Sequence, residues 1–464
     1  MGQVSQPANR DEFGYPTRPD SRRKLRNVIV HTSKHVLLYA IYVCMSVIGI
    51  GMWLSRLGKK YAPLTPLHFH PRRILVIRLD LIGDLVLSLT VIQALKKTYP
   101  EAEIDLLATP GSANVVAGHP DIHTVISYDP NIWRRPRALL RRRNWREALT
   151  LVRRLRARQY DLAVSVFGSW ACVLAALSSA PRRIGFAQEA YPGFVTDPVP
   201  GKHWRPGDHL HEVDYCLQLA HAAGANVSPE DRVPHLPVDL QAVREIEHML
   251  FQEGWDPQQP LIACHISSNN GQSKRWPVPY WATLIDRLMR EERALVVLTG
   301  APGDLPLIEE LLRHTREHPV NLAGKTSLVQ LAALLWRADV LVTGDSGPMH
   351  IAAAVGTSLV AIHGPTDPAL SGPVSPRAAI LQDTIWCSPC YKAKGPADCR
   401  FFTTQCMKNI VPERVCEAVK SKLAEVESQG DHEPGREPGR RPGHEPGRPY
   451  PGRPQGSPWG WGAC

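Results

Sequence analysis

Short runs of β-branched and aliphatic residues recur along this chain, separated by stretches whose apolar positions return every three to four residues. ILVIRL at 74–79 leads into an amphipathic stretch from Val86 to Lys97, followed by IDLLA at 104–108, VISYD at 125–129 and LAVSVF at 162–167. A second series begins with LIACHIS at 261–267 and continues through ALVVLTG at 294–300, VLVTGD at 340–345 and LVAIHG at 359–364. Strand and helix alternating in this way predict parallel sheets covered on both faces. The polar, proline-bearing stretch 254–260 splits the series into two doubly wound Rossmann-like α/β domains, 70–253 and 260–427, facing across a cleft. Ligands of such sheets bind beyond the carboxyl ends of the strands, so the loops after those strands are the candidate sites.

The two ends of the chain break this rhythm. Residues 36–55, VLLYAIYVCMSVIGIGMWLS, carry no charge and match the ~20 residues that cross a bilayer's hydrocarbon core. They predict a membrane anchor helix behind a basic, flexible tail at 1–35; no clear cleavage site follows that would mark a signal peptide. Arg22, Arg23, Lys24, Arg26 and Lys34 on one side balance Arg56, Lys59, Lys60, Arg72 and Arg73 on the other, so charge leaves the orientation open. A span with its N-terminus outside and an insertion that enters and leaves by one face, bent at Gly49 and Gly51, both remain. At the other end, repeated EPGR units and PYPGRPQGSPWGWGAC predict disorder over 428–464.

Composition narrows the partners. Lysine and arginine number 54 against 44 acidic residues, an excess that favours an anionic partner. Eleven arginines fall between Arg134 and Arg158, interleaved with Trp145 and leucines. Arg141 and Arg142 in this cluster, with Arg78, are candidate contacts to phosphates and carboxylates of an acceptor; an anionic membrane and a plain solvated helix face are the alternatives. No nucleic-acid-binding motif accompanies the charge. Ten scattered cysteines do not resemble the framework of a small secreted domain and favour a reducing compartment. Cys387, Cys390, Cys399 and Cys406 are spaced C-x2-C-x8-C-x6-C, which allows a structural zinc or iron site; free thiols are the commoner alternative.

Three strand-end loops carry candidate chemistry. Gly344, Asp345, Ser346 and Gly347 form a tight turn opening a helix, with Pro348 early and Gly356 at its end. Glycines admit a close ligand and the free N–H groups of a helix start attract a pyrophosphate; a plain serine-capped helix is the bland alternative. His350 lies near that helix start, able to donate to a phosphate or simply to pack. After LIACHIS, the loop from Ser267 and Ser268 to Lys274 offers hydroxyls and a cation to a leaving phosphate. After the first strand, Asp84 stands where a general base is needed, or where an aspartate caps a helix. This turn lacks the G-x-G-x-x-G fingerprint of nicotinamide dehydrogenases.

Taken together, RLDLIGDLVLSLTVIQALKKTYP, the SSNNGQSKRWP loop, LAGKTSLVQLAALLWRADVLVTGDSGPMHIAAAVGT and HGPTDP resemble the heptosyltransferases of glycosyltransferase family 9 in order and spacing, over roughly residues 72–420. Tyr160, Asp161 and RRIGF at 182–186 belong to the same resemblance. It implies a GT-B fold, an acceptor-binding N-terminal domain, and a C-terminal domain that binds ADP-heptose without requiring a metal or other cofactor. Carried over residue by residue, it implies Asp84 as catalytic base, with Ser267, Ser268, Lys274, Asp345, Ser346, Gly347 and His350 on the donor side. The acidic residue expected near the ribose is displaced to Asp304 in GAPGD. The expected activity is inverting transfer of heptose onto an anionic glycolipid acceptor of the lipopolysaccharide core, at the cytoplasmic face of the inner membrane. A nucleotide-sugar epimerase of the same fold and a non-catalytic sugar-nucleotide binder are the competing readings.

Overall fold

The structure, a computed structural model, describes residues 69–134, 138, 140–191, 193–201, 203, 210–268, 271–390 and 399–430. The expected tail 1–35, the anchor 36–55 and the C-terminal residues beyond 430 lie outside them. Among the described residues no helix is long and apolar enough to cross a membrane.

The first lobe holds β1 (Arg73–Arg78), β2 (Glu103–Ala108), β3 (Thr124–Ser127), β4 (Leu162–Ser165), β5 (Arg182–Phe186) and β6 (Asp197–Val199). Its longer helices are α1 (Ile82–Leu87), α2 (Leu89–Thr98), α3 (Arg142–Ala157), α4 (Ser169–Leu177) and α5 (Glu212–Ala222). After α6 (Leu240–Gln252) the second lobe runs through β7 (Leu261–His265), α7 (Val278–Glu291), β8 (Leu295–Thr299), α8 (Leu305–Leu312), β9 (Val320–Asn321) and α9 (Leu328–Arg337). It closes with β10 (Val340–Gly344), α10 (Gly347–Val355), β11 (Ser358–His363), β12 (Ala378–Gln382) and α11 (Pro412–Gly430).

Every strand pairing is parallel, in the orders β3-β2-β1-β4-β5-β6 and β12-β11-β10-β7-β8-β9. Counted from its own first strand, the second sheet repeats the order of the first. Each is a doubly wound sheet whose order reverses beside its opening strand, at β1/β4 and at β7/β10, and that reversal opens a crevice at the carboxyl end. The central strands are buried along nearly their whole length, as sheets covered on both faces require.

Three boundaries differ from the sequence expectation. The stretch Val86–Lys97 is two helices rather than one, α1 and α2 meeting at Ser88, whose hydroxyl donates to the Asp84 carbonyl at 2.7 Å. Helix α6, expected to end the first domain, packs on α9 of the second lobe: Arg337 Nε lies 3.1 Å from Glu247 and its guanidinium stacks 4.4 Å over Trp255. The chain has therefore already crossed between lobes before 254–260, because the buried Ala242, Val243, Ile246 and Leu250 face of α6 finds its apolar cover there. Finally, α11 continues to Gly430, past residue 428 where the ordered part was expected to stop.

The lobes meet through α1 and α10. Leu85 and Val86 of α1 share one buried cluster with Met349 and Ile351 of α10. Glycines bring the two helix starts together: a Cβ at Gly347 would meet Ile82 at 3.3 Å, and one at Gly83 would meet the His350 ring at 2.5 Å.

Candidate active site

On the first lobe, β1 ends at Arg78 and the chain turns into α1 with Leu81 at the N-cap, so Asp84 is not the capping residue. It occupies the third helical position, and its carboxylate turns back toward Arg78. The Arg78 guanidinium is buried, with Glu212 at 2.9 Å, Asp80 at 3.4 Å and Asp84 at 3.6 Å, and it faces the Phe167 ring at 5.3 Å. Glu212, the first residue of α5, also approaches His203 Nε2 at 2.8 Å. Arg78, expected to reach an acceptor, is thus enclosed beneath Asp84 with its charge directed to carboxylates; burial and those partners hold it in the floor of the site.

One cation among three carboxylates leaves an excess of negative charge around Asp84. Burial is the strongest influence on its carboxyl and raises it; Arg78 opposes, Glu212 and Asp80 add to the rise, and the outcome is a pKa of about 7. The side chain nevertheless keeps 37% of its surface open to the cleft. A carboxylate that is reachable and titrates near neutrality suits general-base work.

On the second lobe, β7 ends at His265, whose Nε2 lies 3.1 Å from Ser267 Oγ while its Nδ1 lies 3.1 Å from Thr299 Oγ1 at the end of β8. Burial pushes His265 down to about 4, so the imidazole is neutral and serves as a spacer between hydroxyls. Ser267 and Ser268 are buried at the strand end. Lys274 donates to Asp345 Oδ2 at 2.6 Å. This pairing needs Gly344, where a Cβ would stand 3.2 Å from the Lys274 carbonyl oxygen. Burial alone would raise the Asp345 carboxyl, but Lys274, then His363, outweigh it and hold it below its ordinary value.

Ser346 is the N-cap of α10, its hydroxyl 2.9 Å from Thr343 Oγ1 and not capping the helix, and Gly356 closes the helix in the left-handed region at φ 81°. Along the first turn Pro348 has no N–H and the Met349 N–H donates to the Ser346 carbonyl at 3.2 Å, which leaves the Gly347 N–H as the helix-start donor, with no side-chain cap. His350 is buried one turn in, pushed down to about 4 chiefly by burial against the opposing pull of Asp345, and its Nδ1 has no hydrogen-bond partner among the described residues. His363, at the end of β11, pairs Nδ1 with Thr366 at 3.2 Å and leaves Nε2 likewise open.

The structure thus gathers Asp84 on one side and Ser267, Ser268, Lys274, Asp345, Ser346, Gly347 and His350 on the other, around the carboxyl ends of the two sheets. Asp304 caps the Ala301 N–H at 2.8 Å in the loop after β8. Sequence reasoning missed Glu212, His265 and His363. The two histidines stood in plain view as the last residues of apolar runs, a position that marks the crevice; Glu212 carries no such signal. Arg141 and Arg142 are exposed at the start of α3.

Cys387, Cys390, Cys399 and Cys406 are free thiols. Burial, then the proximity of Cys390, Cys399 and Cys387, pushes the Cys406 thiol up to about 12, so the four share a neighbourhood. Yet among the described residues no three His, Cys, Asp or Glu side chains stand where they could hold a metal ion, and residues 391–398 between these cysteines lie outside the description.

Comparison with known proteins gives the family. The chain is 28% identical to lipooligosaccharide heptosyltransferase 2 of Haemophilus ducreyi over 363 residues, 76% of this chain and 99% of that protein. It is 28% identical to lipopolysaccharide heptosyltransferase 2 of Escherichia coli K12 over 364 residues, 77% and 100% of the two chains. Among solved structures it resembles the E. coli ADP-heptose lipopolysaccharide heptosyltransferase II, with a TM-score of 0.61 at 25% identity over 76% of this chain and 99% of the other. A family 9 glycosyl transferase from Veillonella parvula shares the fold with a TM-score of 0.62 at 24% identity, covering 76% and 97%. The profile of glycosyltransferase family 9 (heptosyltransferase) matches residues 148–400, more than half the chain, and with it the chain belongs to that family and is a glycosyltransferase.

Proposed function

We propose that this enzyme transfers a heptose from ADP-heptose onto a lipopolysaccharide-core-type acceptor, with inversion at the anomeric carbon and without a required metal. The observation that carries the reading is the packing of α1 against α10, which sets Asp84 across the cleft from the group formed by Lys274, Asp345 and the start of α10. Relatives matched over nearly their whole length are named for heptose transfer, which supports this donor and acceptor class.

In this scheme Asp84 takes the proton of an acceptor hydroxyl. The oxygen attacks the anomeric carbon from the face opposite the diphosphate, forming the new glycosidic bond through an oxocarbenium-like transition state. The bond to the diphosphate breaks, and its electron pair leaves with ADP. Lys274 and the Gly347 N–H at the start of α10 face the charge that develops there. Asp345 keeps Lys274 in place until the donor arrives. Residues 36–55 anchor the enzyme at the inner membrane, with the catalytic lobes on the cytoplasmic side where the donor is made; protease access in spheroplasts reads the side directly.

Incubation with ADP-heptose and a heptose-lacking core acceptor is the decisive experiment. ADP release with an acceptor heavier by one heptose is expected. An isomerised donor with no extension would mean an epimerase, and unchanged donor despite binding would mean a binding protein.

A further inference from the structure

Helix α3 turns two different faces outward and inward. At 100° per residue, Leu151 and Leu155, the buried side chains, define the inner face. Arg142, Arg146, Leu149 and Arg153 fall within about 60° of one another on the opposite side, with Trp145 and Arg156 along one edge. All six are exposed; Trp145 and Leu149 keep about half their surface. The single acidic residue of the helix, Glu147, lies on the far flank and is taken by Arg143 at 2.7 Å. A stripe of arginines with a leucine and a tryptophan set among them, and no carboxylate, is a positively charged face of the kind that an anionic membrane surface attracts.

The helix is also placed for that role. Arg158, just past its end, pairs with Glu103 and Asp105 at the opening of β2, which puts the end of α3 at the amino edge of the first sheet. Its start therefore lies at the carboxyl edge, the edge from which Asp84 enters the cleft. There Trp133 packs on Trp145 at 4.9 Å and Leu140 is exposed. A lobe resting on this stripe presents its catalytic edge beside the lipid surface, and the anchor proposed above at 36–55 precedes β1 in the same chain.

We infer that the outer face of α3 is a docking surface for an anionic lipid bilayer, which orients the cleft toward an acceptor embedded in that bilayer. The inference rests on the proposed glycolipid acceptor, and the test separates the two. Full-length protein is bound to phosphatidylcholine vesicles with or without phosphatidylglycerol, and its arginines are footprinted with phenylglyoxal and read by peptide mass spectrometry. Arg146 and Arg153 are expected to lose reactivity only with the anionic vesicles, while Arg143 changes little. Equal reactivity in both vesicles would overturn the inference, and so would protection by a soluble, delipidated core saccharide alone, which would give the face to the acceptor instead.

The variant Arg146→Gln/Leu149→Gln/Arg153→Gln adds a second readout. It is expected to keep full transfer onto the soluble saccharide and to lose about tenfold or more on vesicle-embedded acceptor, at roughly fivefold per arginine near a charged surface. Equal transfer by variant and wild type on both acceptors would defeat the docking surface while leaving the transferase intact. No transfer by wild type on either would defeat the proposed function itself.

Discussion

The His350 ring lies so close over Gly83 that a methyl group added to the glycine would meet ring carbon Cδ2 at 2.5 Å. Two residues from different lobes are thereby in contact, one residue away from the carboxylate assigned as base. The closeness of the lobes at this point is a property of the smallest side chain.

Gly83→Ala should act through that contact. Overpacking of this kind costs about 1–3 kcal/mol. It is expected to lower transfer more than it lowers stability, because the added methyl wedges α1 from α10. His350→Ala in the same chain should restore part of the stability by removing the obstructing ring. Steady-state kinetics and equilibrium unfolding of the single and double variants check it; a double variant no more stable than Gly83→Ala would refute the contact.

Asp84→Asn should abolish acceptor extension while sparing donor affinity, measured by calorimetric titration with ADP-heptose. With the Asp84 carboxyl at about 7, kcat/KM should fall about tenfold per pH unit below that value, as the base becomes protonated. Stability carries the opposite sign. The folded carboxyl binds its proton more tightly than an unfolded one at 3.8, so this group destabilises the fold progressively as pH rises from about 4 to about 7. Asp84→Asn should therefore gain stability relative to wild type at pH 8 and show no gain near pH 3.

Lys274→Ala leaves the buried Asp345 carboxylate without its partner, and loss of one member of a buried pair costs about 3–5 kcal/mol. Urea denaturation should show a loss of that order together with weaker ADP binding. Adding Asp345→Asn is expected to recover much of the stability and none of the affinity. Recovery of both would mean that Lys274 serves the fold and not the donor.

His265 and His350 are both held neutral by burial, near 4 against an ordinary 6.5. Between those values the unfolded chain binds protons that the folded chain refuses, so their contribution is a loss of stability as pH falls from about 6.5 to about 4. His350→Asn should flatten that part of the stability curve, as read by thermal unfolding across the range.

The apolar rhythm of the chain was sufficient for the parallel sheets and for the positions of their central strands, but not for the order in which those strands pair. β1, β2, β4, β7, β8, β10 and β11 all appear within a residue or two of the runs that announced them, because a strand buried on both faces must be apolar throughout. The strand-end position of Asp84, Ser267, Asp345 and His350 followed from the same rhythm. The edge strands β6, β9 and β12 stayed hidden, being two to five residues long and only partly buried.

What the linear order could not hold was everything set by contact between distant segments. That α6 belongs to the second lobe, that Arg78 is enclosed by Glu212 from 134 residues away, and that Lys274 is bound to Asp345 across 71, are decisions of packing. The charge around Asp84 follows from those placements, because a carboxyl's affinity for its proton depends on which groups surround it in space. Residue types and spacing determined which chemistry the chain carries and at which strand ends it lies. Only the meeting of two lobes through Gly83 and Gly347 decided that these ends share one cleft, since close approach of two backbones depends on side chains being absent where they touch.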